Sequence, residues 1–218
     1  MGAVPLRAAL FALLLAMAAR AGAATLEALV QTPDGKPVPD AAVVLESLAP
    51  SRAGAPAPRS HARATIEQRG AEFIPWVTVV QTGTPVDFPN NDTVRHHVYS
   101  FSQPKRFEIK LYAGKPGQPI TFDKPGEVDI GCNIHDWMEA HVLVVESPWF
   151  GKTGADGRAA IANLPAGRYR LLLWHPQQKL RVPATEIEVG ATPLKLALVL
   201  DARPRTPRPH LDVDQDRY

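Results

Sequence analysis

Val128-Asp129-Ile130-Gly131-Cys132-Asn133-Ile134-His135-Asp136-Trp137-Met138 begins as a strand and ends as a loop. Val128, Ile130 and Cys132 alternate along the chain, so they share one strand face and the thiol points inward with two apolar side chains. The chain then leaves the strand and returns His135 and Met138 at three-residue intervals, which lets a thiolate, an imidazole and a thioether surround one point. A second imidazole lies upstream in Phe88-Pro89-Asn90-Asn91-Asp92-Thr93-Val94-Arg95-His96-His97-Val98. Two adjacent histidines compete for that role. Position relative to Asp92 and Val98 favours His96 and leaves His97 to pack or hydrogen-bond beside it.

Two histidines, one cysteine and a weak axial methionine are the donor set of a blue-copper electron-transfer site. The soft thiolate binds Cu(I) and couples the metal electronically to the chain. Imidazole suits both copper oxidation states, and a long thioether contact stabilises Cu(I) without imposing tetragonal Cu(II) geometry. Taken singly, Met138 reads as a core filler and His135 as a surface residue. Together with Cys132 and His96 at these spacings they read as ligands of one type 1 copper ion, with zinc the alternative occupant. Cys132 is the single cysteine of the chain, so it forms no internal disulfide.

Around this stretch the pattern is that of strands throughout. Val77-Thr78-Val79-Val80, Phe107-Glu108-Ile109-Lys110-Leu111 and Val142-Leu143-Val144-Val145 are short apolar or alternating runs, and 22 prolines and 15 glycines punctuate the chain. Such spacing predicts an all-β protein of sandwich or barrel type. Residues 64–146 form the dense β region that holds the cysteine. Residues 25–50 and 152–200 carry further strands, among them Ala41-Ala42-Val43-Val44-Leu45 and Arg168 to Trp174. Neither of these outer segments has enough strands to close a sandwich alone, which predicts one discontinuous domain with the central region inserted into it. A linker rich in Ala, Pro, Arg and Ser spans about 51–63, and residues 201–218 read as an extended, mobile tail.

The central region resembles the cupredoxin family over roughly Ala64 to Glu146. Glu72-Phe73-Ile74-Pro75, Val77 to Val80, Gly83 and Val86-Asp87-Phe88 are like its early strands. His96 falls where that family places its first histidine, after an Asn-x-Asp turn, and Cys-x-x-His-x-x-Met is similar to the compact copper loop of plastocyanin and amicyanin. The resemblance implies a Greek-key β-sandwich, the ligands His96, Cys132, His135 and Met138, and an electron port at the loop histidine His135. Two positions depart from it: Ile134 stands where proline is common, and His97 where asparagine is usual. A non-proline at 134 retains a main-chain N–H that can donate to the Cys132 sulfur. The outer segments resemble carboxypeptidase-regulatory-like (transthyretin-like) β-sandwiches, through Thr32-Pro33-Asp34-Gly35-Lys36-Pro37-Val38-Pro39-Asp40-Ala41, Thr153-Gly154-Ala155-Asp156-Gly157-Arg158 and Leu164-Pro165-Ala166-Gly167-Arg168. The combination is similar to exported proteins of the methylamine-utilisation type.

Arg7, the apolar run Ala8 to Ala19 and the small residues Ala21-Gly22-Ala23 have the order of a secretory signal peptide over residues 1–23, with a retained membrane anchor as the alternative. Removing it takes Arg7 and Arg20 from 24 basic residues and leaves them equal in number to the 22 acidic ones. That balance excludes nucleic acid as a partner, since phosphate binding needs a concentrated positive face. No later stretch is apolar enough to span a membrane. The expectation is therefore a periplasmic or otherwise exported one-electron carrier whose partner is a cytochrome, dehydrogenase or reductase. A copper-binding, delivery or structural module is the alternative. An enzyme is not expected, because His-x-His pairs for a three-copper centre and a second cysteine for a dinuclear centre are both missing. His141 reads as a residue on the far strand face, between domains or in solvent, and Trp174-His175-Pro176 as a strand end without clustered metal partners.

Overall fold

The computed structural model describes residues 23–49, 62–203 and 205. The leader, most of the 51–63 linker and most of the expected tail lie outside them. Among the described residues the protein is all-β, with seventeen strands and no helix, and so no helix long and apolar enough to cross a membrane. In chain order β1 (Ala24–Gln31) and β2 (Ala42–Ser47) come first. Then follow β3 (Ala64–Thr65), β4 (Glu67–Gln68), β5 (Phe73–Ile74), β6 (Val77–Gln81), β7 (Thr84–Asp87), β8 (His96–Ser100), β9 (Phe107–Tyr112), β10 (Ile120–Phe122), β11 (Gly126–Gly131) and β12 (Glu139–Val145). The last five are β13 (Trp149–Lys152), β14 (Arg158–Leu164), β15 (Gly167–Trp174), β16 (Thr185–Val189) and β17 (Leu194–Val199).

The strands at the two ends of the chain pair with one another. One sheet runs β14-β1-β17 and another β13-β2-β15-β16, and Leu26, Val30, Val43, Leu45, Ile161, Leu164, Tyr169 and Leu171 fill the core they share. Side-chain bonds tie these sequence-distant halves. The buried Thr153 hydroxyl donates to the Val38 carbonyl at 2.7 Å and accepts from the Ala41 N–H at 2.8 Å, and the Ser147 hydroxyl donates to the Leu45 carbonyl. The Asp156-Gly157 turn needs its glycine: φ is +74°, and a Cβ there would lie 2.6 Å from the Val30 carbonyl oxygen. Asp201–Arg203 belong to this sandwich, with Ala202 buried and bridged to Gln178.

Strands β3 to β12 make a second sandwich. The chain crosses between a five-stranded sheet, β6-β12-β11-β8-β9, and a three-stranded one, β10-β7-β3, in the manner of a Greek key, and β4 and β5 add a hairpin. Its core holds Phe73, Phe88, Val98, Phe122, Val128, Ile130, Val142 and Val144. Strand period explains how the two units meet. On β12, Ala140, Val142 and Val144 face this core, whereas Leu143 and Val145 face the other way. On β2, Val43 and Leu45 enter the first core while Ala42 and Val44 turn outward. Those outward residues join Trp76, Val77 and Trp174 in a third apolar cluster between the sandwiches. A continuous apolar run is what a strand covered on both faces requires.

Two histidines edge that cluster. The Trp76 ring meets His141 edge-on at 5.0 Å and His175 at 5.7 Å, and His141 Nδ1 lies 2.7 Å from Asp129 Oδ1. His175 is 1% exposed, and its Nδ1 accepts the Gln177 N–H at 3.1 Å, which holds the ring neutral. Burial pushes its pKa down to about 4; His141 acts in the same direction and Asp40 opposes. Once unfolded, the ring takes up a proton near its ordinary 6.5. The unfolded chain therefore binds more protons between those values, and stability falls as pH drops through the window. We expect His175→Asn to remove up to about 3 kcal/mol of that acid sensitivity, read as the difference between urea melts of the two proteins at pH 7 and pH 4.

Candidate metal centre

Strand alternation on β8 settles which histidine enters the sandwich. His96, Val98 and Ser100 are buried, so His97 and Tyr99 lie on the other face. His96 is 0% exposed. His97 Nε2 instead sits 3.0 Å from Glu108 Oε1, as an ion contact without the alignment of a hydrogen bond. On β11, Val128 and Ile130 point inward, and Cys132 continues their phase just past the strand end. Gly131 permits a close approach beside it: a Cβ there would lie 3.0 Å from the Tyr99 ring. The following loop is closed at both ends by main-chain bonds. Met138 N–H donates to the His135 carbonyl at 2.9 Å, and Cys132 N–H to the Met138 carbonyl at 3.2 Å.

These elements bring three donor atoms together. His96 Nδ1 and His135 Nδ1 are 3.1 Å apart, and Cys132 Sγ lies 3.9 Å from the first and 3.8 Å from the second. Among the described residues this is the one group of three or more His, Cys, Asp or Glu donors so arranged. The triangle fits a metal ion: an in-plane point about 2.0 Å from both nitrogens lies about 2.3 Å from the sulfur, ordinary imidazole and thiolate bond lengths. Met138 is buried in the same apolar cluster as Cys132, on the loop that carries His135. His135 is only 3% exposed, and the Trp137 ring packs on it at 5.1 Å. The loop histidine thus presents little surface of its own. Cys132 and Met138 line a groove of about 750 Å³ on another side, together with Tyr99, Asp129 and Pro176.

The surroundings tune each donor. Burial resists ionisation of the Cys132 thiol, but the His96 ring and the main-chain N–H groups of His97, Ile134 and His135 outweigh it and bring its pKa down. The N–H that a non-proline at 134 retains is among the groups that lower the Cys132 pKa. Burial likewise opposes charge on His96, yet Cys132 and Asp92 raise its pKa; burial and the neighbouring His96 lower that of His135. Asp92 Oδ2 lies 2.7 Å from His96 Nε2, so a proton on Nε2 leaves Nδ1 bare toward the centre. The same carboxylate accepts the Gly70 N–H at 2.5 Å and the Ala71 N–H at 3.0 Å. Against burial, these three donors hold its pKa low. Buried Asn90 shapes the intervening turn by donating to the Val94 and Tyr112 carbonyls and accepting the Asp92 N–H. In the sequence Asp92 stands out only as a landmark. Its spacing of four residues before His96 is the signal that could have marked it as the orienting group.

No known family profile matches the chain, and no curated protein does. Among solved structures, a copper-containing nitrite reductase from Thermus scotoductus SA-01 is similar at 29% identity over 39% of this chain, with a TM-score of 0.37. The matched part spans 23% of that reductase. A purple cupredoxin from Nitrosopumilus maritimus matches 38% of this chain and 99% of its own at 21% identity and a TM-score of 0.34. A mutant amicyanin in its Cu(I) form matches 47% of this chain and 98% of its own at 15% identity and a TM-score of 0.34. Likeness at these scores adds nothing to what the side chains themselves establish.

If Asp92 orients His96, Asp92→Asn should weaken metal binding about 10- to 100-fold while the fold persists. Competition titrations of Cu(II) and Co(II) against a chelator, beside thermal melts, would read both effects; unchanged affinity would remove Asp92 from the centre's support.

Proposed function

We propose that this chain is an exported type 1 copper protein of cupredoxin kind that carries single electrons between partner proteins. The observation that carries the reading is the buried triangle of two imidazole nitrogens and one sulfur, with Met138 on the same closed loop. Thiolate and imidazole together select copper or zinc, and adding a thioether favours copper. Copper held there supplies one-electron exchange between Cu(II) and Cu(I).

The chain's own residues fit that task. The surroundings of Cys132 lower its pKa against the cost of burial, which favours the thiolate that ligation requires. Asp92 fixes His96, Trp137 covers His135, and the main chain closes the 132–138 loop, so each donor is held by a bond outside the triangle. Donors that move little between oxidation states keep reorganisation small. The main-chain N–H groups of His97, Ile134 and His135, which lower the Cys132 pKa, favour negative charge on the sulfur and so the reduced metal, which would raise the reduction potential. We read the chain as a carrier rather than an enzyme. The flanking sandwich is read as a carboxypeptidase-regulatory-like module without chemistry of its own.

One observation favours a second reading, copper delivery. The groove lined in part by Cys132 and Met138 lies against two of the proposed donors, on the side from which a protein exchanging the metal would be reached. Cyclic voltammetry separates the two: a reversible one-electron wave supports the carrier, and loss of metal on reduction supports delivery.

The Cu(II)-loaded protein should show an intense thiolate-to-copper band near about 600 nm. Cys132→Ser should abolish it, and Met138→Leu should keep the colour while shifting the potential. A colourless oxidised holoprotein would end the blue-copper reading and leave zinc. Ile134→Pro removes one of the main-chain N–H groups that favour negative charge on the sulfur and should lower the potential measured by voltammetry; an unchanged value would show that this group does not tune the metal.

A further inference from the structure

Arg69-Gly70-Ala71-Glu72 forms a tight turn. Arg69 N–H donates to the Glu72 carbonyl at 3.0 Å, Glu72 N–H donates back at 3.2 Å, and Gly70 and Ala71 both take left-handed φ values, +62° and +53°. A left-handed alanine is costly and persists where surroundings over-determine it. Here the surroundings are the supports of the metal centre. On one side the Gly70 and Ala71 N–H groups hold the Asp92 carboxylate, which holds His96. On the other side the Ala71 carbonyl accepts the Trp137 indole N–H at 3.2 Å, and the Trp137 ring packs on His135. One peptide segment therefore supports both histidines.

The outer end of this turn is held by the other sandwich. Arg205, three residues beyond the bridged Ala202, places its Nη2 3.2 Å from Glu72 Oε2 and its guanidinium 5.5 Å from the centroid of the Trp76 ring. Both charged side chains are largely shielded, at 30% and 18% exposure, unlike most ion pairs of the molecule. Trp76 in turn touches His141 of the second sandwich and His175 of the first. We infer that the 69–72 turn is a common brace for His96 and His135, and that Arg205 and Glu72 are positioning residues through which the first sandwich sets the metal centre. A peptide held at one end by an ion pair and at the other by the supports of two donors transmits displacement of either to both.

This inference rests on the metal-centre reading, so its test needs one arm that copper does not enter. Glu72→Gln, Arg205→Ala and the double variant would be compared with wild type. In the metal-free protein, exchange of the His96 Nε2 proton, followed by nitrogen-15 NMR, should quicken by about threefold to tenfold in each variant. In the loaded protein, Cu(I) affinity by chelator competition should fall by a similar factor, and the Cu(II) hyperfine splitting should change. The double variant should match the singles, because both remove one link. Arg205→Lys, which retains the charge, should recover part of the loss. Arg181→Ala is the control: Arg181 also bridges the sandwiches, to Glu127 at 2.6 Å, without touching the brace, and should move neither readout. The inference is overturned if Glu72→Gln and Arg205→Ala behave as wild type, or if Arg181→Ala has the same effect. Should wild type take up no copper, the metal-centre reading falls, and the proton-exchange arm still decides the brace.

Discussion

A buried sulfur whose surroundings favour its ionised form is the constraint on which this structure turns. Cys132 is a free cysteine inside an apolar cluster with Val128, Ile130 and Val142, where burial alone would keep it protonated. Compensation comes from one ring and three main-chain N–H groups, and each requires a particular backbone path. The N–H of His97 is available because β8 runs beside β11, with Tyr99 paired to Gly131. Those of Ile134 and His135 are available because the loop folds back on itself. Loop closure and strand register thus serve the charge on one atom. The same path brings both Nδ1 atoms into reach of the sulfur.

The two sandwiches are held together by the side chains that strand period turns away from each core. β2, β6, β12 and β15 each send residues to a core on one face and to the Trp76 cluster on the other. Apolar contact gives this interface its area, while the rings at its edge are oriented from within each unit, His175 by the Gln177 N–H and His141 by Asp129. The segment that leaves Trp76 toward the N-terminus reaches the 69–72 turn within four residues. Interface and ligand support are consequently neighbours along the chain as well as in space.

Much of the candidate metal centre was legible in the sequence because its information is local. Cys132, His135 and Met138 share one loop, and inward pointing of Cys132 follows from the alternation of Val128 and Ile130. Preference for His96 over His97 came from position, and β8 supplies the physical reason, since adjacent strand residues face opposite ways. All-β character was legible from short apolar runs between turn residues. What was not legible depends on contacts between distant segments. Gly70 and Ala71 meet Asp92 across about 20 residues of sequence, and the Ala71 carbonyl meets Trp137 66 residues away. Neither contact leaves a periodic trace, because both use main-chain atoms that any residue carries. His175 looked like a strand end, and its burial follows only from the packing of Trp76 against it.

Burial of His135 bears on how electrons would enter. In a site whose loop histidine is exposed, that ring is the natural port. Here Trp137 packs on the ring, so transfer by that route would pass through or beside the indole. The groove on the Cys132 side offers a different approach. Tyr99 packs against Gly131, the residue preceding the sulfur ligand, and its ring leads at 5.0 Å to Phe101, which is 78% exposed. Were copper held by these donors, its thiolate bond would be its most covalent link to the chain, so coupling would favour the sulfur side even though the loop pattern points to the histidine side.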